Sequence, residues 1–302
     1  MARTSVVEGS KSWISQKVAD YKLLLKFRLT LTVVFSALMA FFIASTDGVQ
    51  LTAVLILALG GFLVTGAANA LNQVLEKDYD KLMKRTADRP VAAGRMAVSE
   101  AVLAAGLMAM GGIMLLALFN VWAAFFGMLS LVAYAFLYTP LKRYSTMAIP
   151  VGAVPGALPM LIGCVAAQGE LTTLAFVLFS IQFAWQFPHF WAIGWLGYDD
   201  YQVAGYKMLP ERNGERDPRT GLYAAAYAML LIPLGFVLTW MGVIGLYSAV
   251  FAAVLSLAYA YLGWNLYKKQ DRTAALRLMF GSLLYLPLAL IAFWLDKGGM
   301  GF

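Results

Sequence analysis

Nine apolar runs of roughly 18–25 residues recur along the chain, at about 29–46, 51–75, 98–119, 121–138, 146–167, 171–196, 220–240, 243–267 and 277–295. Each is long enough to cross a bilayer as a helix. With 61% apolar residues, 13% charge and a mean hydropathy of +0.73, the chain is far from the average soluble domain. A soluble fold does not pack so many long apolar segments into 302 residues. Charge placement tests the count. Arg3, Lys11, Lys17, Lys22, Lys26 and Arg28 precede the first run. Lys77, Lys81, Lys84, Arg85, Arg89 and Arg95 lie between runs two and three. Lys142 and Arg143 follow run four, Lys207, Arg212, Arg216 and Arg219 follow run six, and Lys268, Lys269, Arg272 and Arg277 follow run eight. Thus 22 of the 23 basic residues fall on one side, and only Lys297 falls on the other. The positive-inside rule puts the N-terminus in the cytoplasm and the C-terminus outside. The expected fold is an all-α polytopic membrane protein: nine transmembrane helices in one bundle around a central cavity.

The net charge of +7 therefore reports topology. Nucleic acid is excluded as a partner, because the charges sit on short membrane loops; the partner at large is the lipid bilayer. The single cysteine, Cys164, lies inside run five, cannot form an intrachain disulfide, and reads as a small apolar filler. Residues 1–28 form a mixed polar segment without the pattern of a secretory signal, and Glu8 and Asp20 argue against an organelle-targeting segment.

The loops are unequal. Connections on the outer side are tiny, whereas loops 2–3 and 6–7 hold about 22 residues each and are rich in charge. Their separation by four spans hints at an internal duplication. The first loop opens with Asn72-x-x-x-Glu76-x-x-x-Asp80, followed by Met83-x-Arg85-Thr86-x-x-Arg89-Pro90. Steps of four keep side chains on one helix face, drifting by about 40° per step. Glu76 and Asp80 are hard oxygen ligands and Asn72 is a neutral one, a set that suits Mg²⁺ together with phosphate and water. Asp78 points about 160° from Asp80 on an ideal helix, outside that set. Lys81, Lys84, Arg85 and Arg89 follow as phosphate-gripping cations, and Lys142 enters from loop 4–5. A metal-bound diphosphate at the mouth of an apolar cavity implies a lipid tail within. Departure of diphosphate leaves an allylic cation that needs aromatic shelter from water. Run six supplies Phe183, Trp185, Phe187, Phe190, Trp191 and Trp195. It also carries a polar stripe, Gln182, Gln186 and His189, read with the stripe of run two as lining a shared cavity. Run five, with Pro150, Pro155 and Pro159 among its glycines, is expected to be kinked or very closely packed.

The stretch 72–90 resembles the first acidic motif of the UbiA-type intramembrane prenyltransferases. Nine spans with long loops 2–3 and 6–7 fit that superfamily. Within it, four segments resemble the protohaem IX farnesyltransferases: Lys26-Phe27-Arg28-Leu29; Tyr138-Thr139-Pro140-Leu141-Lys142-Arg143; Val151 to Pro159; and Pro188-His189-Phe190-Trp191 with Asp199-Asp200-Tyr201-x-x-Ala204-Gly205-x-x-Met208-Leu209-Pro210. The resemblance implies one UbiA-like domain over residues 1–302 in a bacterial plasma membrane, with its active site facing the cytoplasm. It implies that farnesyl diphosphate ionises with Mg²⁺, that the cation adds to a vinyl group of haem B, and that water supplies the hydroxyl of haem O. Asn72, Glu76 and Asp80 take the metal and catalytic places, with Arg85, Arg89 and Lys142. Gln186, His189, Asp199, Asp200, Tyr201 and Lys207 are candidate substrate contacts, His189 as a haem contact or axial ligand. Lys26, Arg28 and Arg143 are candidates for the haem propionates. A haem O product points toward haem A synthase or oxidase assembly proteins as partners.

Two departures stand out. Phe27 replaces an expected proline. The superfamily's second motif is Asp-x-x-x-Asp, and counting back from Gly205 its acids fall on Gly197 and Tyr201. Three outcomes follow: Asp199 or Asp200 replaces them, Lys207 takes over diphosphate charge, or a single metal binds. Prenylation of an aromatic quinone precursor is the competing reaction. A secondary transporter is the competing class, since polar stripes and broken helices also suit solute pathways.

Overall fold

A computed structural model describes residues 12–46 and 48–298. Arg3, Glu8 and Lys11 lie outside the described residues. Eight helices among the described residues are long and apolar enough to cross a membrane. They are α2 (Phe27–Ala44), α3 (Leu51–Leu75), α5 (Val98–Ala117), a composite of α6 (Val121–Val132), a π-helical turn (Ala133–Tyr138) and α7 (Thr139–Leu141), α8 (Ala148–Gln168), α11 (Thr220–Trp240), α12 (Leu246–Lys269) and α13 (Arg272–Leu295). A further long helix, α9 (Thr173–Leu196), spans 24 residues without a break, but Gln182, Gln186 and His189 interrupt its apolar sequence. Short helices α4 (Lys77–Asp80) and α10 (Tyr198–Val203) open the two long loops. The second loop also holds a hairpin, β1 (Glu211–Arg212) with β2 (Glu215–Arg216), turned by Asn213-Gly214 at positive φ.

The bundle is organised around α8. Of its span window 78% is buried, against 22–50% in the other seven spans. Small residues make this possible. A Cβ at Gly163 would run into the Ala37 carbonyl of α2, so the two backbones touch there. Pro159 cannot donate to the carbonyl of Pro155, and Ser130 Oγ donates to that carbonyl instead, at 3.2 Å. The outer helices turn apolar side chains outward. Leu103, Leu107, Met110 and Met114 of α5 form an exposed stripe at helical spacing. On a soluble protein such a stripe would be an aggregation hazard; facing lipid it is stable.

The N-terminal segment contains a helix that hydropathy does not reveal, α1 (Trp13–Leu24), capped by Ser12. Trp13, Ile14 and Val18 are exposed on it. Its polar face is tied to the bundle: Lys17 Nζ lies 2.9 Å from Glu100, and Arg95 Nε 2.9 Å from Asp20. An apolar face on one side and ion pairs on the other fit a helix lying along the membrane surface. Between α1 and α2 the chain reverses through Lys26, in the left-handed region at φ 46° and ψ 54°. A non-glycine residue there is strained by about 1–2 kcal/mol.

Candidate active site

The site is built where α3 ends. Its last turns carry Asn72, and the helix breaks at Glu76, φ −96° and ψ 2°. The hydrogen bonds run on across the break: Glu76 N–H donates to Asn72 O at 2.9 Å, and Asp80 N–H to Glu76 O at 2.8 Å. The four-residue stripe therefore survives the break. Asn72, Glu76 and Asp80 are all buried, whereas Asp78 is exposed and pairs with Lys81 at 3.0 Å. The chain then folds back, held by Thr86 Oγ1 donating to Asp80 O at 3.0 Å. This return places Arg89 Nη1 at 2.8 and 2.7 Å from the two oxygens of Asp80, and 3.6 Å from Glu76 Oε2.

Two other segments close the cluster. The left-handed turn delivers Lys26 Nζ to Asn72 Oδ1 at 2.8 Å and toward the Tyr134 hydroxyl at 3.4 Å. The π-helical turn, of a kind often found at functional sites, sets up Thr139 and Lys142. Asn72 Nδ2 donates to Thr139 Oγ1 at 3.0 Å, which fixes the amide with its oxygen toward Lys26. Lys142 Nζ lies 2.6 Å from Glu76 Oε1 and 4.5 Å from the centre of the Tyr138 ring. Burial works against the Glu76 carboxylate, but Lys142, Lys26 and Arg89 together hold it below the ordinary glutamate value. Burial lifts Asp80 above the ordinary aspartate value against the pull of Arg89. Burial, with Arg89 and Lys142 adding repulsion, pulls Lys26 well below the ordinary lysine value. Burial opposes the Lys142 ammonium as well, yet Glu76 keeps it above that value. Three basic side chains thus converge on three oxygen-bearing ones.

That donor set fits a divalent cation. Arg89 reaches both carboxylates, so Glu76 and Asp80 face one point with hard oxygens. No group of three or more His, Cys, Asp or Glu side chains stands together among the described residues, so phosphate and water would complete the coordination. Asn72 is the weaker third ligand, because its oxygen already accepts from Lys26. A cleft of about 180 Å³ opens beside Glu76, lined also by Tyr79, Thr139, Arg143 and Tyr206. Its volume suits a diphosphate head rather than a prenyl tail or a haem.

The residues of loop 6–7 divide. Tyr201 is buried and accepts a hydrogen bond from Arg85 Nη2 at 2.9 Å. Asp199 is exposed and pairs with Arg216 at 3.0 Å. Asp200 makes no side-chain hydrogen bond with the cluster. The Lys207 side chain is exposed, although its N–H holds the loop to the Lys142 carbonyl at 2.6 Å. Arg28 is exposed beside Phe27; Arg143 is exposed over Tyr79, its guanidinium 4.2 Å from the ring centre. Two residues reach the cluster without having been expected there. Lys26, read as a propionate contact, binds Asn72 instead. Tyr206 is buried and its hydroxyl has no hydrogen-bond partner. Burial first, then the charges of Glu76 and Asp80 and the nearness of the Glu76 carboxylate, raise that phenol above its ordinary value, so it stays protonated.

The two amides of the α9 polar stripe are taken up by α8. Gln182 Nε2 donates to Gly156 O at 2.8 Å, and Gln186 Nε2 to Ala153 O at 3.0 Å, so both amides fasten α9 to α8. Glycine at 156 leaves the room that the Gln186 amide fills. The aromatic residues of α9 spread over several neighbours: Phe187 stacks on Tyr227 of α11 at 4.2 Å, while Trp195 faces Arg216. His189 packs against Trp185, with Nδ1 2.7 Å from Ser282 Oγ. Ser282 donates its proton to Met279 O at 2.5 Å, so it accepts from His189 Nδ1–H. Nε2 then carries the lone pair.

A helical bundle with buried carboxylates and cations at one mouth is the architecture of a known class. The chain belongs to the UbiA prenyltransferase family, which it matches over residues 33–284. It is similar to the protoheme IX farnesyltransferase of Cytophaga hutchinsonii, 43% identical over 284 residues, covering 94% of this chain and 99% of that one. The protoheme IX farnesyltransferase of Christiangramia forsetii is 40% identical and covers 98% of each chain. Among solved structures, a digeranylgeranylglyceryl phosphate synthase superposes with a TM-score of 0.78 at 16% identity, over 94% of this chain and 100% of that one. A UbiA homolog from Archaeoglobus fulgidus bound to GPP and Mg2+ superposes with a TM-score of 0.65 at 13% identity, over 91% and 99%. These two show a shared fold.

Proposed function

We infer that this integral membrane protein is a protohaem IX farnesyltransferase. It moves the farnesyl group of farnesyl diphosphate to a vinyl group of haem B, with addition of water, giving haem O and diphosphate. The observation that carries the prenyl-diphosphate half is the buried cluster of Glu76 and Asp80 with Lys26, Arg89 and Lys142. The near-full-length relatives, named as acting on protoheme, support the acceptor.

Glu76 and Asp80, helped by Asn72, would hold Mg²⁺, which when bound supplies positive charge to the departing diphosphate. Lys26, Arg85, Arg89 and Lys142 bind and orient the phosphate oxygens and stabilise the charge that builds on them. The carbon–oxygen bond breaks with both electrons leaving on diphosphate. The faces of Tyr134 and Tyr138 already sit beside lysine ammonium groups, at 5.9 and 4.5 Å, and tolerate the positive charge left on the prenyl carbon. On the acceptor side His189 offers its Nε2 lone pair to haem, and Arg143, at the cleft, or Arg28 meets a propionate. Gln186 acts indirectly by holding α9 against α8. The whole chain works as one domain, with α9 as the ninth span, the N-terminus and site on the cytoplasmic side of a bacterial plasma membrane, and haem O passing on toward haem A synthase or oxidase assembly proteins.

Membranes containing the protein, given farnesyl diphosphate, Mg²⁺ and either haem B or an aromatic acid, are expected to form haem O by mass spectrometry. A prenylated aromatic acid with no haem O would sink the reading.

A further inference from the structure

The phosphate end of the site has a carboxylate wall and a phenol wall. Glu76 and Asp80 are the two buried carboxylates there. Asp78 and Asp199 are exposed and taken by Lys81 and Arg216. Tyr206 lines the same cleft as Glu76, and its hydroxyl is buried on the Glu76 side of the ring without a well-formed hydrogen bond. Tyr206 is 4% exposed, so its hydroxyl depends on the protein or on a ligand in the cleft for a partner. Tyr201 packs beside it, ring centres 6.2 Å apart, and holds Arg85 at 2.9 Å. Lys142 Nζ lies 5.9 Å from the Tyr206 ring.

Charge decides how many cations this arrangement takes. Arg89 and Lys142 already pair with the two carboxylates, Lys26 stands beside Asn72, and Arg85 adds its charge from the exposed rim through Tyr201. One dication on Glu76 and Asp80 enters with its own ligands. The diphosphate brings its own negative charge, which Arg89, Lys142, Lys26 and one dication already meet; a second dication would find no further buried carboxylate as ligand, since Asp200 is only half-buried. A phenol donor and a guanidinium fork can hold phosphate oxygens directly.

We propose that this chain binds prenyl diphosphate with a single divalent cation, and that the Tyr206 hydroxyl, flanked by the Arg85–Tyr201 pair, takes the phosphate oxygens that a second cation would otherwise hold. The proposal rests on the prenyl-diphosphate reading above. The test uses the full chain in lipid nanodiscs, Mn²⁺, and the unreactive analogue farnesyl thiolodiphosphate, without haem. Electron paramagnetic resonance titration is expected to count one Mn²⁺ per chain in the analogue complex. Tyr206→Phe, which keeps the ring and its packing, is expected to weaken analogue binding about tenfold, the worth of one hydrogen bond to a charged group, with the count still one. Two Mn²⁺ per chain, or unchanged analogue affinity in Tyr206→Phe, would overturn the proposal while leaving the prenyl-diphosphate reading standing. A wild-type chain that binds no analogue at any Mn²⁺ concentration overturns both.

Discussion

α3 runs into α4 through Glu76, at φ −96° and ψ 2°, and α9 runs into α10 through Gly197, at φ −98° and ψ 10°. Four residues on, Asp80 N–H returns to the Glu76 carbonyl at 2.8 Å, and Tyr201 N–H to the Gly197 carbonyl at 2.9 Å. Both steps turn the fourth residue inward: Asp80 and Tyr201 are buried. The backbone is thus the same and the chemistry is not. One step presents two carboxylates, and the other a glycine and a phenol. A Cβ at Gly197 would sit 3.0 Å from the Tyr201 ring, so the larger inward residue needs the glycine before it. Asp199 and Asp200 fall at the positions between, Asp199 exposed and Asp200 half-buried. What matters at such a break is which residues stand at the break and four beyond it, not how acidic the loop is.

Substitutions sharpen this contrast. Lys142→Ala should have the largest effect, lowering the rate of haem O formation about a hundredfold and costing about 3 kcal/mol of stability, because Glu76 is left buried beside an absent partner. Product mass spectrometry and thermal unfolding in detergent read the two. Lys26→Gly should lower the rate about tenfold by freeing the Asn72 amide; unlike Lys142→Ala, it also relieves a strained left-handed backbone position, so stability should hold or rise. Tyr201→Phe should cost about fivefold, since Arg85 keeps its charge but loses its anchor. Lys207→Ala should stay within about twofold, because an exposed lysine away from the cluster contributes little. A large effect at Lys207 would mean that the second loop works through its exposed face.

The spans were legible because helices of this length need long apolar runs, and the helix ends lie within a few residues of the runs. The acidic stripe was legible because helical hydrogen bonding continues through Glu76. Lys26 was legible as a cation but not as a neighbour of Asn72, since that contact depends on a left-handed turn and joins residues 46 apart. Tyr206 carries no charge and gives no sequence signal of a site, and Thr139 stands in a family-like segment without charge to mark its role. Gln182 and Gln186 misled for the opposite reason: a polar stripe reads alike whether it faces a cavity or a neighbouring helix's carbonyls. The helix at Trp13–Leu24 went unread because a surface-lying helix needs no membrane-length run. Asn213-Gly214 is a hairpin signal legible in the sequence, because both residues accept positive φ.

The most direct test compares two double variants in one assay of Mg²⁺-dependent haem O formation, with insertion into the membrane verified for each. Glu76→Gln with Asp80→Asn removes the inward carboxylates of the first step; Asp199→Asn with Asp200→Asn removes the acids of the second. The predicted result is no detectable haem O from the first pair at any Mg²⁺ concentration, and turnover within about twofold of wild type from the second. Turnover that survives the first pair, or is lost with the second, would contradict the assignment of the metal–diphosphate centre to Glu76 and Asp80.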